Sequence, residues 1–193
     1  MDERTLLEGI RADDPAAFNE FVRTFGDRIY GFGVRMCGER EDAKDVLQDT
    51  LLQAYRALKD LEHPEAMRSW VFTVAANACR MRRRRGKYEP EREVSLEELT
   101  PRGGVAPTEI PDVRSLPDEA VLRDEVRDRV RAAIDALPEH YRMILVLRDI
   151  EHFTAPEVSK MLDLPISTIK MRLHRARLML RDRLEGAFAG GAA

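Results

Sequence analysis

Between Ser167 and Arg177 the chain sets out hydroxyls, long cations and one thioether: Ser167, Thr168, Lys170, Met171, Arg172, His174, Arg175 and Arg177. Such side chains reach phosphate oxygens and the donor and acceptor edges of base pairs. A helix presenting them outward has the chemistry of a major-groove reader. Ile169 and Leu173 continue an apolar spacing begun by Val158 and Leu162, and only Asp163-Leu164-Pro165 separates the two helical patterns. Helix, three-residue turn, helix is the pattern of a helix-turn-helix. Ser159 is small where the two helices must approach, and Asp163 is a type that accepts a left-handed backbone. An amphipathic hairpin with a basic outer face has the same spacing, so the motif alone leaves both readings open. His174 alone reads as an ordinary surface histidine.

A second cluster precedes it. Arg80, Arg82, Arg83, Arg84, Arg85 and Lys87 place six bases in eight residues with no acid. Upstream on the same predicted helix lie the planar Trp70 and the amide of Asn77. A basic track beside planar side chains suits a single strand with unstacked bases, although Trp70 is equally at home in a core. A third set, Asp45, Gln48, Asp49, Leu52 and Arg56, falls on the polar side of an earlier helix. There an exposed leucine beside an amide and acids reads either as a partner surface or as a solvated face. Enzyme chemistry finds no support. His63, His140, His152 and His174 are scattered without metal-ligand spacing, and no phosphate-binding glycine loop or nucleophile constellation is present. No catalytic residue, metal or cofactor is expected.

The elements that must position these residues are helical. Asp14-Pro15 offers a cap and a first-turn proline ahead of Phe18, Phe21, Val22 and Phe25. From about Glu39 to Leu58, the residues Ala43, Val46, Leu47, Thr50, Leu51, Ala54, Tyr55 and Leu58 form one apolar face. A further helix covers about Glu65 to Arg84, with Trp70, Val71, Val74, Ala75 and Ala78 inward. Four more are expected near 118–136, 138–150, 155–163 and 166–185. Alternating strand patterns are absent. The fold class is all-α, with two small helical domains.

Net charge conceals this organisation. The 193 residues carry 35 acids and 32 bases, a net of −3, yet the charge is segregated. The segment 80–87 carries +6, 88–121 carries −6, 164–183 carries +5, and the remainder −8. Two basic blocks around an acidic spacer suggest two contacts with a polyanion. The spacer holds Pro90, Pro101, Pro107, Pro111, Pro117 and Gly103-Gly104, and reads as a poorly ordered linker. Expected boundaries are 1–87, linker 88–121, 122–187 and a tail at 188–193. Cys37 and Cys79 cannot build a disulfide framework or a structural zinc site, which points to a reducing compartment. With no long apolar run and no signal-peptide order at the N-terminus, a soluble cytoplasmic chain without membrane insertion is expected.

The sequence resembles a bacterial extracytoplasmic-function sigma factor, a two-domain specificity subunit of RNA polymerase. The stretch "ALPEHYRMILVLRDIEHFTAPEVSKMLDLPISTIKMRLHRARLMLRDRL" is similar to the family's fourth region, which reads the −35 promoter element. "DAKDVLQDTLLQAYRAL" resembles the part of its second region that docks on the polymerase clamp, and "MRSWVFTVAANACRMRRRR" the part that melts and reads the −10 element. Both units match in the family's order, with a linker between them. The resemblance implies core RNA polymerase (β and β′ subunits) and promoter DNA as partners, and in most cases an anti-sigma factor. It implies that Gln48 and Asp49 touch the β′ clamp helices, that Asn77 meets a −10 base, and that the loop Asp60–Met67 captures a flipped one. Met81 and Arg82 depart from the family's usual acidic and apolar residues, which bears on −10 preference. The 34-residue spacer reaches at most about 110 Å extended and about 30–35 Å as a coil. The two promoter elements lie roughly 55 Å apart, so it must be drawn out. The competing readings are a helix-turn-helix repressor or activator, which would bind duplex promoter alone, and a helical adaptor, which would show no promoter dependence.

Overall fold

The computed structural model describes residues 2–85 and 119–189, with side chains placed for 2–82 and 125–186. Most of the expected linker, and the side chains of Arg83, Arg84 and Arg85, lie outside the described residues. The described residues contain helices and turns and no strand, which is the expected fold class.

Four helices form the N-terminal part: α1 (Glu3–Arg11), α2 (Pro15–Cys37), α3 (Arg40–Ala57) and α4 (Met67–Arg85). The first was not anticipated. Its start is set by Asp2, whose carboxylate accepts the Thr5 amide at 2.8 Å, and Leu6, Leu7 and Ile10 bury one side of it. Asp14 caps α2 by accepting the Ala16 amide at 2.9 Å, with Pro15 in the first turn. Helix α2 ends at Gly38, whose φ of 80° favours a residue without Cβ. Helices α2 and α3 then pack backbone to backbone. A Cβ on Gly33 would stand 3.1 Å from the Ala43 Cα, so only glycine fits this approach without displacing α3. Two single 3₁₀ turns, Leu58–Asp60 and Pro64–Ala66, connect α3 to α4.

The C-terminal part comprises α5 (Glu119–Asp135), α6 (Glu139–Leu145), α7 (Ala155–Leu162) and α8 (Ile166–Ala189). The segment expected as one helix over 138–150 changes character midway: after Leu145 the chain widens into a π-turn over Val146–Ile150. Tyr141, Ile144, Val146, Leu147 and Phe153 are all buried, and α6 packs against α8. Both parts share a single apolar core. At their junction Phe72 of α4 meets Phe32 edge-on at 5.5 Å and Phe153 at 5.2 Å. The Arg68 guanidinium lies 4.2 Å over the Phe153 ring and donates to the Glu151 carbonyl. Burial, with the neighbouring Arg28 charge, lowers the pKa of Arg68. The C-terminal part therefore docks on α2 and α4 instead of standing apart, which periodicity could not reveal.

Candidate nucleic-acid and partner interfaces

The two-helix motif is built from its caps inward. Thr154 opens α7: its hydroxyl accepts the Glu157 amide at 3.4 Å, while the Glu157 carboxylate accepts the Thr154 amide at 2.6 Å. This reciprocal capping box satisfies two orphan donors, and the Thr154 hydroxyl bond holds the Glu157 pKa below its ordinary value. Helix α7 stops because Asp163 adopts φ 52°, ψ 50°, the left-handed conformation its residue type tolerates. Ser159 fills the elbow, its hydroxyl donating to the Leu164 carbonyl at 2.5 Å. Val158 and Ile169 are fully buried between the helices, with Leu162 and Leu173 nearly so. What remains outward on α8 is ordered. Ser167, Lys170, His174 and Arg177 are exposed in one three-and-four-residue stripe, flanked by the half-buried Thr168, Met171, Arg172 and Arg175. Arg177 is engaged: its Nε and Nη2 donate to both carboxylate oxygens of Asp149, at 2.9 and 2.7 Å. That pairing raises its pKa.

On α4, Asn77 is exposed, while Trp70, Arg80 and Arg82 are half-buried. Trp70 packs against the core with one side. Arg82 departs from the expected basic track. Its guanidinium donates to Asp45 at 2.7 Å and Asp49 at 3.1 Å, and Asp42 lies 3.8 Å away. Two residue sets that the sequence kept apart are thus joined, the cation on α4 and the acids on α3. The loop before α4 is braced by the unanticipated α1: Arg11 donates to the carbonyls of Lys59 and Leu61, and Lys59 pairs with Asp13.

The polar side of α3 presents Asp45, Gln48, Asp49, Leu52 and Arg56, all exposed. Leu52 is 47% exposed. Tyr55 was expected inward and is instead 56% exposed. It falls at the edge of the apolar stripe, where it meets the Phe18 ring edge-on at 5.2 Å. Phe18, Leu47, Leu51, Leu52 and Tyr55, with Lys44 and Gln48, line an apolar groove of about 330 Å³ on this face. Its signal in the sequence was the width of the α3 apolar stripe, too broad for full burial.

Sequence comparison places these surfaces in context. Residues 21–89 match the family described as "Sigma-70 region 2" and residues 127–180 match "Sigma-70, region 4". The chain is 30% identical over 184 residues to the "RNA polymerase sigma-H factor" of Pseudomonas aeruginosa, covering 95% of this chain and 94% of that one. It is 28% identical to the "ECF RNA polymerase sigma factor SigW" of Bacillus subtilis, over 92% of this chain and 94% of the relative. Among solved structures, CnrH in complex with the cytosolic domain of CnrY superposes with a TM-score of 0.66 at 23% identity, over 95% of this chain and 97% of that one. RpoE in complex with the anti-sigma factor NepR, from Bartonella quintana, superposes at 0.61 and 23% identity, over 87% and 96%. At that identity the two structures speak for the fold.

Proposed function

The chain belongs to the extracytoplasmic-function branch of the sigma-70 family, and from that premise we propose a division of labour among its surfaces. It is an alternative sigma factor that directs RNA polymerase to promoters, and it is not an enzyme. Helix α8 enters the major groove of the −35 element, with Ser167, Thr168, Lys170, Met171, Arg172, His174 and Arg175 toward DNA. Arg177 joins them when Asp149 releases it. The exposed stripe on α8 carries this reading, because its hydroxyls and cations are the groups that read base edges and phosphates.

Helix α4 serves the −10 element through Asn77, Arg80 and the basic run that follows, with Trp70 at the junction of duplex and single strand. The α3 groove, with Asp45, Gln48, Asp49, Leu52 and Arg56 around it, docks on the polymerase clamp formed by β′. Tyr55 and Phe18 supply apolar contact there. The domains 1–87 and 122–187 act as separable bodies on the promoter, and the acidic segment 88–121 spans the gap through the basic channel of the polymerase. Promoter elements roughly 55 Å apart cannot both be read while Phe153 sits on Phe72, so engagement of the polymerase draws the two parts apart. A cognate anti-sigma factor would favour the docked form. Support comes from one of the two similar folds, RpoE, which was solved with the anti-sigma factor NepR. Action with the polymerase places the chain in the cytoplasm, and among the described residues no helix is long and apolar enough to cross a membrane.

Run-off transcription with core polymerase on a promoter library tests the assignment. Start sites that depend on this chain are expected, and none appearing would overturn it.

A further inference from the structure

The two cysteines, 42 residues apart in sequence, meet in space. The Cys37 thiol donates to the Cys79 sulfur, with the sulfurs 3.7 Å apart, and neither cysteine is in a disulfide. We propose that Cys37 and Cys79 are a reversible oxidation site, at which a hydroperoxide converts the pair into an intramolecular disulfide that staples the end of α2 to the middle of α4.

The geometry provides both a place to react and room to close. A disulfide bond is about 2.05 Å long, so the sulfurs must approach by a little under half their present separation. Cys79 lies within the core in the interior of α4, at 1% exposure, and cannot supply that movement. Cys37 can. It is the last residue of α2, and Gly38 follows with φ of 80° and nothing within 4 Å of the position a Cβ would take. The chain therefore leaves the helix directly after Cys37, with open space beside Gly38.

The order of chemistry follows from exposure. Cys37 is half-buried and is the thiol an oxidant meets first. Cys79 is held as a thiol, because the neighbouring Cys37 sulfur and burial both push its pKa up. The Cys37 thiolate attacks the peroxide O–O bond, expels alkoxide or hydroxide, and becomes the sulfenic acid. The Cys79 sulfur then attacks the sulfenic sulfur; the S–S bond forms, the S–O bond breaks, and the hydroxide leaves as water with the Cys79 proton. A dithiol reductant reverses the step. Placing the resolving thiol against the reactive one also protects Cys37 from further oxidation.

The bond closes a loop containing the whole of α3 and α4 as far as Cys79, and it lies two residues from Asn77. Cross-linking that loop should raise the melting temperature by roughly 5–15 °C over the reduced protein.

The test is graded hydrogen peroxide on the full chain, followed by thiol alkylation, peptide mass spectrometry and thermal melting. The expected result is joint loss of both thiols, a Cys37–Cys79 cross-linked peptide, the higher melting temperature, and full reversal by dithiothreitol. Cys79→Ser should let Cys37 proceed to sulfinic acid at peroxide doses that leave the wild type at the disulfide. Should that variant fail to fold, the wild-type peptides decide alone. Cys37 sulfinate beside a free Cys79 in the wild type, or a Cys37-linked dimer, would overturn the assignment.

Discussion

Arg28 and Glu151, 123 residues apart in sequence, are joined by a hydrogen bond of 2.9 Å from the guanidinium to the carboxylate. Arg35 approaches the other oxygen at 4.0 Å, and Glu151 is only 5% exposed. A carboxylate buried to that degree needs its cations, so this contact helps clamp the C-terminal part to α2. Glu151→Lys places like charges together there, and the radius of gyration by X-ray scattering should rise measurably. Unchanged scattering would show that the aromatic junction of Phe72 and Phe153 holds the parts together alone.

The exposed stripe of α8 predicts a graded effect on DNA. Lys170→Ala should weaken −35 binding by about 1–3 kcal/mol if the ammonium reads a base, or lower the salt slope by about one if it contacts phosphate. Fluorescence anisotropy of the polymerase holoenzyme on −35 duplexes at several salt concentrations separates the two. An unaltered affinity and slope would remove Lys170 from the interface.

Leu52 stands half out of the α3 groove and adds little to folding. Leu52→Glu should therefore leave the melting temperature within about 2 °C, while reducing core-polymerase affinity at least about tenfold, as loss of an apolar anchor does. Gln48→Ala should act in the same direction more weakly. If Leu52→Glu bound core normally, the groove would not be the docking face.

Arg82 separates two roles in one experiment. As the partner of Asp45 and Asp49, its replacement by alanine should cost about 0.5–1 kcal/mol of stability, as for a partly exposed ion-pair network. In the holoenzyme, where the clamp competes for Asp45 and Asp49, the salt slope of promoter binding should also fall by about one. An unchanged slope would show that Arg82 stays with its carboxylates and takes no part in the nucleic-acid track.

The capping box has a pH signature. Hydrogen bonds from the Thr154 hydroxyl and amide lower the Glu157 pKa in the folded chain below its ordinary 4.5. A depressed carboxylate stabilises the fold above that value and loses the contribution as pH falls through the folded pKa. Thr154→Ala should cost about 1 kcal/mol at pH 7, and the difference from wild type should shrink below pH 4.5. Urea melts at both pH values check this.

What was legible in the sequence was local. The three-and-four-residue spacings of α3 and α4, the Asp14-Pro15 start and the left-handed elbow at Asp163 are all properties of neighbouring residues. Tyr55 sits on the border of a stripe, where period alone cannot distinguish a buried from a half-open position. Helix α1 has only nine residues, although Asp2 caps it and Leu6, Leu7 and Ile10 line one face. The contacts of Arg28 with Glu151, Arg82 with Asp49 and Cys37 with Cys79 join distant segments. They depend on how helices cross, and no periodicity encodes that.

The fork that Arg82 makes with Asp45 and Asp49 also has a thermodynamic consequence. A ligand that takes those carboxylates must take them from Arg82, leaving a cation free on the helix that carries Asn77 and Arg80. Occupancy of the α3 face and anion binding on α4 are then linked through one exchangeable partner, and such linkage is reciprocal. Whatever affinity polymerase lends to promoter contact through this exchange, the promoter returns by the same factor to polymerase.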